Sequence, residues 1–187
     1  TPAQGCPIVV ASEAQSNGKG LTAVDEIEVV FTERWLTAER AGSLPRFGGM
    51  VKNCDTFDLQ MYGHALTASE AVCMDPQQRA LLQTTHAVDV GSCAKFFHLP
   101  AQHTGVYVGA AAGDYMSRLQ AHGVSTSAAS TGNALSELCG RLSFMFDLRG
   151  PSISIDTACS ASLVATCHAL DNLRASLATL ATVGAAM

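Results

Sequence analysis

The fold turns on residues 151–173, which begin Pro151-Ser152-Ile153-Ser154-Ile155 and continue Asp156-Thr157-Ala158-Cys159-Ser160-Ala161-Ser162-Leu163-Val164 toward Leu173. Residues 151–155 alternate apolar and polar side chains, the period of a short strand. Behind Cys159 the apolar positions Leu163, Val164, Cys167, Leu170 and Leu173 recur at helical spacing, so one cysteine stands where strand gives way to helix. The unpaired amides and the dipole at a helix N-terminus favour an anion, and the thiolate is the nucleophilic form of cysteine. Cys159 is therefore the candidate nucleophile. Ser160, Ala161 and Ser162 are small enough to let a substrate carbonyl reach backbone N–H groups, as an oxyanion site requires. The competing reading is a core side chain, because free cysteine is among the most buried residue types.

Working outward, Asp75 reads as an N-cap, Pro76 suits the first helical position and Gln78 completes a capping-box pattern, which predicts a helix over 76–91. Residues 93–103 read as a loop, and residues 104–109 alternate as a short buried strand ended by glycine. Residues 110–131 are rich in Ala, Ser and Gly with no strong period and read as a flexible segment. A helix is expected from about Asn133 through Leu135, Leu138, Leu142 and Phe146, ending near Gly150-Pro151. Residues 177–183 read as one more strand. In the first 44 residues, 7–11 suggest a short strand, 16–20 a loop, and 24–39 a helix around Val29, Val30, Trp35 and Leu36. This β/α alternation implies a layered α/β fold.

Composition narrows the function classes. The 187 residues are 48% hydrophobic and 14% charged, enough to bury a sizeable core, and the net charge of −5 offers no basic stripe for nucleic acid. Seven cysteines, at 6, 54, 73, 93, 139, 159 and 167, are scattered without a C-x-x-C pair. That speaks against a disulfide framework or a zinc site and for a reducing compartment. No apolar run approaches a membrane span, and no targeting segment is evident at the N-terminus.

Ahead of the cysteine, several motifs stand in one order. They are Arg46-Phe47-Gly48-Gly49-Met50, Phe57-Asp58, Met74-Asp75-Pro76-Gln77-Gln78-Arg79, Thr104-Gly105-Val106-Tyr107-Val108-Gly109, Thr131-Gly132-Asn133-Ala134, Gly140-Arg141-Leu142-Ser143 and Leu148-Arg149-Gly150-Pro151-Ser152. Together with the Cys159 segment they resemble the N-terminal half of a β-ketoacyl synthase, in particular the ketosynthase domain of type I polyketide synthases. The resemblance covers residues 46–187. It implies an α/β fold that is the N-terminal half of a thiolase-like layered αβαβα domain, incomplete. Residues 1–44 are then an atypical N-terminal segment that lacks the family's opening strand or borrows a substitute from residues 7–11, and residues 45–187 a half-domain whose C-terminal half is absent.

The resemblance also implies an acyltransferase. Cys159 would take an acyl group from the phosphopantetheine arm of an acyl carrier protein, and decarboxylative Claisen condensation with a malonyl-type thioester would follow. No cofactor would be bound directly and no metal is implied. The family assigns the condensation step to two downstream histidines, in His-Gly-Thr and Asn-x-Gly-His contexts that this chain does not match, so activity of these residues alone is expected to be partial or absent. Of the histidines present, His122 mimics one context in the wrong place. His168, nine residues after Cys159, is about 13 Å along a helix, too far to act as its base. The family commonly carries Glu and Trp where this chain has Gln83 and His86, which predicts relaxed packing there. The helix after Cys159 expects a covering layer, so the missing half, another chain or a dimer mate is the expected partner besides the carrier protein. An intracellular location, cytoplasmic or in an organelle matrix, follows from the same reading. A non-catalytic ketosynthase-like subunit acting as a scaffold is the alternative, and an unrelated α/β binding module is a third reading.

Overall fold

The computed structural model describes residues 27–29, 46–49, 56–91, 103–111 and 113–186. The chain divides into two compact units, one over Glu13–Cys54 and one comprising the remainder. In the smaller unit, β1 (Ile27–Val29) pairs antiparallel with β2 (Phe47–Gly49), Val29 opposite Phe47. This corrects the helix expected over 24–39 at its described part. Ile27, Glu28 and Val29 alternate with two β-branched residues, a pattern that suits a strand better than a helix. The strand expected at 7–11 and the loop expected at 93–103 lie outside the described residues, His103 excepted.

The described part of the larger unit holds first a 3-10 helix, Leu59–Ala65, capped by Asp58. The first α-helix, α1 (Ala68–Cys73), starts at Thr67, whose Oγ1 accepts from Glu70 N–H while Thr67 N–H donates to Glu70 Oε2 at 2.9 Å. Next, α2 (Pro76–Gly91) begins where expected, with Asp75 Oδ1 accepting from Gln77 N–H at 2.8 Å. The capping box predicted there does not form. Asp75 N–H donates instead to the Gly132 carbonyl at 2.8 Å, and Gln78 Oε1 accepts from Arg141 Nε at 3.0 Å. The near-complete burial of Gln78 thus ties α2 to a later helix.

The strand β3 (Thr104–Ala110) is buried at every position. The segment predicted to be flexible holds two short helices, α3 (Tyr115–Ala121) and α4 (Ser127–Asn133). Each is about two turns, too short for periodicity to show. Thr126 caps α4 by accepting from Ala129 N–H at 3.1 Å, and Leu119 and Ala129 pack with Cys73. The helix expected from Asn133 starts two residues later, as α5 (Leu135–Met145), because Ala134 is extended at ψ 130°. Then come β4 (Ser152–Ile155), α6 (Ala161–Arg174) and β5 (Leu180–Ala186). The last strand begins three residues after its expected start at 177. Ser176, at φ 58°, ends α6 with its N–H bonded to the Leu173 carbonyl, and the turn consumes the intervening residues.

The three strands form one parallel sheet in the order β4-β3-β5, with Tyr107 opposite Ile153 on one side and Val183 on the other. Strand alternation divides β3 between two layers. Val106, Val108 and Ala110 join Leu81, Leu82, Leu138 and Leu142 from α2 and α5 in the main core. On the opposite face, Tyr107 packs against Ala165 and Ala169 of α6. Helix, sheet and helix therefore stack as three layers, with α6 alone on its side among the described residues.

Candidate active site

Gly105, Tyr107 and Gly109 alternate along β3 on the face that carries α6. The helix answers with Ala161, Ala165 and Ala169, spaced by four and all nearly inaccessible. The sequence reading took the larger apolar residues as the helical signal. In the structure the alanines face the sheet instead, and Leu163 is 67% exposed. Small residues let α6 lie close on the strand. The approach is tightest at its first turn, where a Cβ on Gly109 would come 2.5 Å from Ser162 N and 2.6 Å from the Ala161 carbonyl oxygen. Gly109 thus seats the start of α6 on the carboxyl end of β3, the edge at which open parallel sheets place their ligand sites.

Between β4 and α6 the chain makes a tight turn that presents Cys159. Ala158, immediately before it, has φ 51°, a left-handed conformation that costs about 1–2 kcal/mol for a residue bearing a Cβ. Local hydrogen bonds hold it there. Asp156 Oδ1 accepts from Ala158 N–H at 3.0 Å, Ser160 Oγ donates to the Thr157 carbonyl at 2.9 Å, and Ala161 N–H donates to the Ala158 carbonyl at 3.0 Å. Cys159 is a free, exposed thiol one residue before the N-cap Ser160, so the position expected from sequence is the one observed.

The amides around it are only partly as expected. Those of Ser160 and Ala161 are engaged by the turn, and Ser162 N faces Gly109. The N–H groups of Cys159 and Leu163 make no hydrogen bond among the described residues. An oxyanion site at this turn would therefore rest on the Cys159 amide rather than on the three residues after it.

Among the described residues, no histidine is placed beside the thiol. His168 is exposed seven positions into α6, His122 is exposed at the C-terminal cap of α3, and His103 is exposed just before β3. His86 keeps an aromatic contact, edge-on to Tyr62 at 6.2 Å, and Phe57 stacks on the same ring at 5.2 Å. Among the described residues no three His, Cys, Asp or Glu side chains group as a metal site, and no helix is long and apolar enough to cross a membrane. Sequence reasoning quoted Gly109 and Asp156 within its motifs but gave neither a part in the site. The second was recoverable, because Asp two residues before a small residue is a known turn-forming pattern.

Residues 10–187 match the model of the β-ketoacyl synthase N-terminal domain. Relatives include polyketide synthase GfsA of Streptomyces halstedii, 37% identical over 163 residues, covering 86% of this chain and 2% of that protein. The highly reducing polyketide synthase cnsI of Penicillium expansum is 39% identical over 138 residues, covering 73% of this chain and 6% of the relative. Among solved structures, the ketosynthase from module 6 of the bacillaene synthase of Bacillus subtilis 168 superposes with a TM-score of 0.62 at 30% identity. It covers 81% of this chain and 24% of that one. The oxazolomycin ketosynthase domain from Streptomyces albus JA3453 gives 0.63 at 29%, over 81% and 28%. The chain thus spans a small part of the length of the relatives it matches, and its mixed α/β fold is that of the N-terminal part of a ketosynthase domain.

Proposed function

Since the chain belongs to the β-ketoacyl synthase family, a family of condensing acyltransferases, we propose that Cys159 is its acyl-accepting nucleophile. In this reading Cys159 Sγ attacks the carbonyl of an acyl thioester on the phosphopantetheine arm of an acyl carrier protein. The new S–C bond forms as the pantetheine thiolate leaves and takes up the thiol proton, so the thioester passes to the protein without redox change. The observation that carries the proposal is geometric: a free, exposed thiol on a strained turn at the head of a helix that Gly109 seats on the sheet.

The same reading extends to the whole protein. Acylation prepares a decarboxylative Claisen condensation with a malonyl-type thioester, within a ketosynthase domain of polyketide type. Groups that polarise the second thioester are not found beside Cys159 among the described residues, so residues 45–187 are read as the N-terminal half of that domain and acyl transfer as their share of the chemistry. The exposed α6 side of the sheet supports a covering partner, either the other half of the domain or a second chain. Free, scattered cysteines support an intracellular setting.

Intact-mass measurement after incubation with an acyl-pantetheine thioester tests the assignment. One acyl group per chain is expected, lost in Cys159→Ala. Equal labelling of the two proteins, or none of either, contradicts it.

A further inference from the structure

Three non-glycine residues among those described have a positive φ: Asp147, Ala158 and Ser176. Asp147 and Ser176 directly follow the C-terminal caps of α5 and α6, a position at which helices commonly turn left-handed. Ala158, at φ 51°, instead precedes a helix, and its methyl group can neither bond the backbone nor escape the clash that disfavours this region. Strain of this kind persists only where surrounding bonds over-determine it.

The conformation is set by the two peptide groups that flank the Ala158 Cα. The group between Thr157 and Ala158 is held at both ends: its N–H donates to Asp156 Oδ1 at 3.0 Å, and its carbonyl accepts from Ser160 Oγ at 2.9 Å. The group between Ala158 and Cys159 is held at its carbonyl, which accepts from Ala161 N–H at 3.0 Å. Only φ and ψ of Ala158 are soft between these planes, so the three bonds decide the direction in which the chain enters Cys159. Ser160 and Ala161 belong to the start of α6, whereas Asp156 stands before the turn. Its short side chain reaches the N–H two residues on, and one methylene more would carry the oxygen past it.

We propose that Asp156 is a positioning residue for acyl transfer: its Oδ1, acting as a hydrogen-bond acceptor and not through its charge, keeps Ala158 left-handed and so holds the Cys159 thiol at the head of α6. The inference rests on the acyl-accepting role of Cys159 and adds to it the group that presents the thiol. Without the bond, Ala158 relaxes toward the right-handed or extended regions that a residue with a Cβ prefers, and the thiol swings away from the helix start. Asp156 takes no proton in this role.

The rate at which the whole chain is acylated on Cys159 by an acyl-pantetheine thioester tests the proposal, with alkylation of Cys167 by iodoacetamide as the reference for general loosening. Asp156→Ala should slow acylation roughly fivefold, the usual net contribution of one hydrogen bond, and leave Cys167 unchanged. Asp156→Asn, which keeps the acceptor and drops the charge, should react at nearly the wild-type rate. Asp156→Glu, which keeps the charge and displaces the oxygens, should be as slow as Asp156→Ala. Ala158→Gly added to Asp156→Ala should recover most of the rate, because glycine takes the left-handed region unaided. Asp156→Glu at the wild-type rate, Asp156→Asn as slow as Asp156→Glu, or an equal change at Cys167 overturns the positioning role and leaves Cys159 as the acyl acceptor. These comparisons decide the matter even where Asp156→Ala fails to fold. A wild-type chain that takes up no acyl group overturns the acyl-transfer reading itself, and the role of Asp156 with it.

Discussion

At the scale of single residues, the turn before α6 depends on what is missing from Gly109 and on what Asp156 supplies. Gly109→Ala should push the first turn of α6 off β3 and destabilise the chain by about 1–3 kcal/mol, the usual range for overpacking, measured by urea unfolding. An unchanged midpoint would mean that the helix start moves freely. Tyr62 gives an independent check on the packing. Burial, with the Asp58 carboxylate nearby, pushes its hydroxyl up to about 12 from 10.0. The folded state then keeps this proton after the unfolded chain has released its own, so the unfolded state binds fewer protons and stability falls as pH rises from about 10 toward 12. The buried hydroxyl has no hydrogen-bond partner. Tyr62→Phe should therefore fold at least as stably at neutral pH and should flatten this part of the alkaline decline. A marked loss of stability at neutral pH would show that the hydroxyl is bonded after all.

At the scale of elements, legibility followed length and capping. The helix over 76–91 and the strand at 104 were readable because a strong start signal or strict alternation marked them. The helices α3 and α4 were not, since seven residues are too few to show a period and α4 is mostly Ala, Ser and Gly, and tertiary contacts through Leu119 and Ala129 hold them. The position of Cys159 was legible from the change of period around it. The support beneath it was not, because Gly109 lies about fifty residues upstream and only strand pairing brings it under α6. Alanine spacing along α6 sets a further expectation. Ala165→Leu would force a large side chain onto Tyr107 and should cost about 1–3 kcal/mol, whereas Leu163→Ser on the exposed side should stay within about 0.5 kcal/mol. Equal effects in urea melts would mean that the helix is rotated from the orientation described.

At the scale of the molecule, the sheet is covered unequally. One side carries α2 and α5, while α6 on the other leaves Leu163, Val183 and Ile153 exposed by 67%, 40% and 36%. Such an apolar rim around the helix that follows Cys159 supports the proposed half-domain, which would bury this side against a partner. Dye-binding fluorescence should accordingly be high for the chain alone and lower in Leu163→Ser. The central claim is that position at the head of α6 singles out Cys159 as the acyl acceptor. Cys167, exposed on the same helix, is the internal reference. The most direct measurement is a limiting incubation with acyl-pantetheine thioester, followed by fragmentation of the peptide that contains both cysteines. The acyl mass should fall on Cys159 in large excess over Cys167; equal occupancy of the two, or preference for Cys167, would contradict the account.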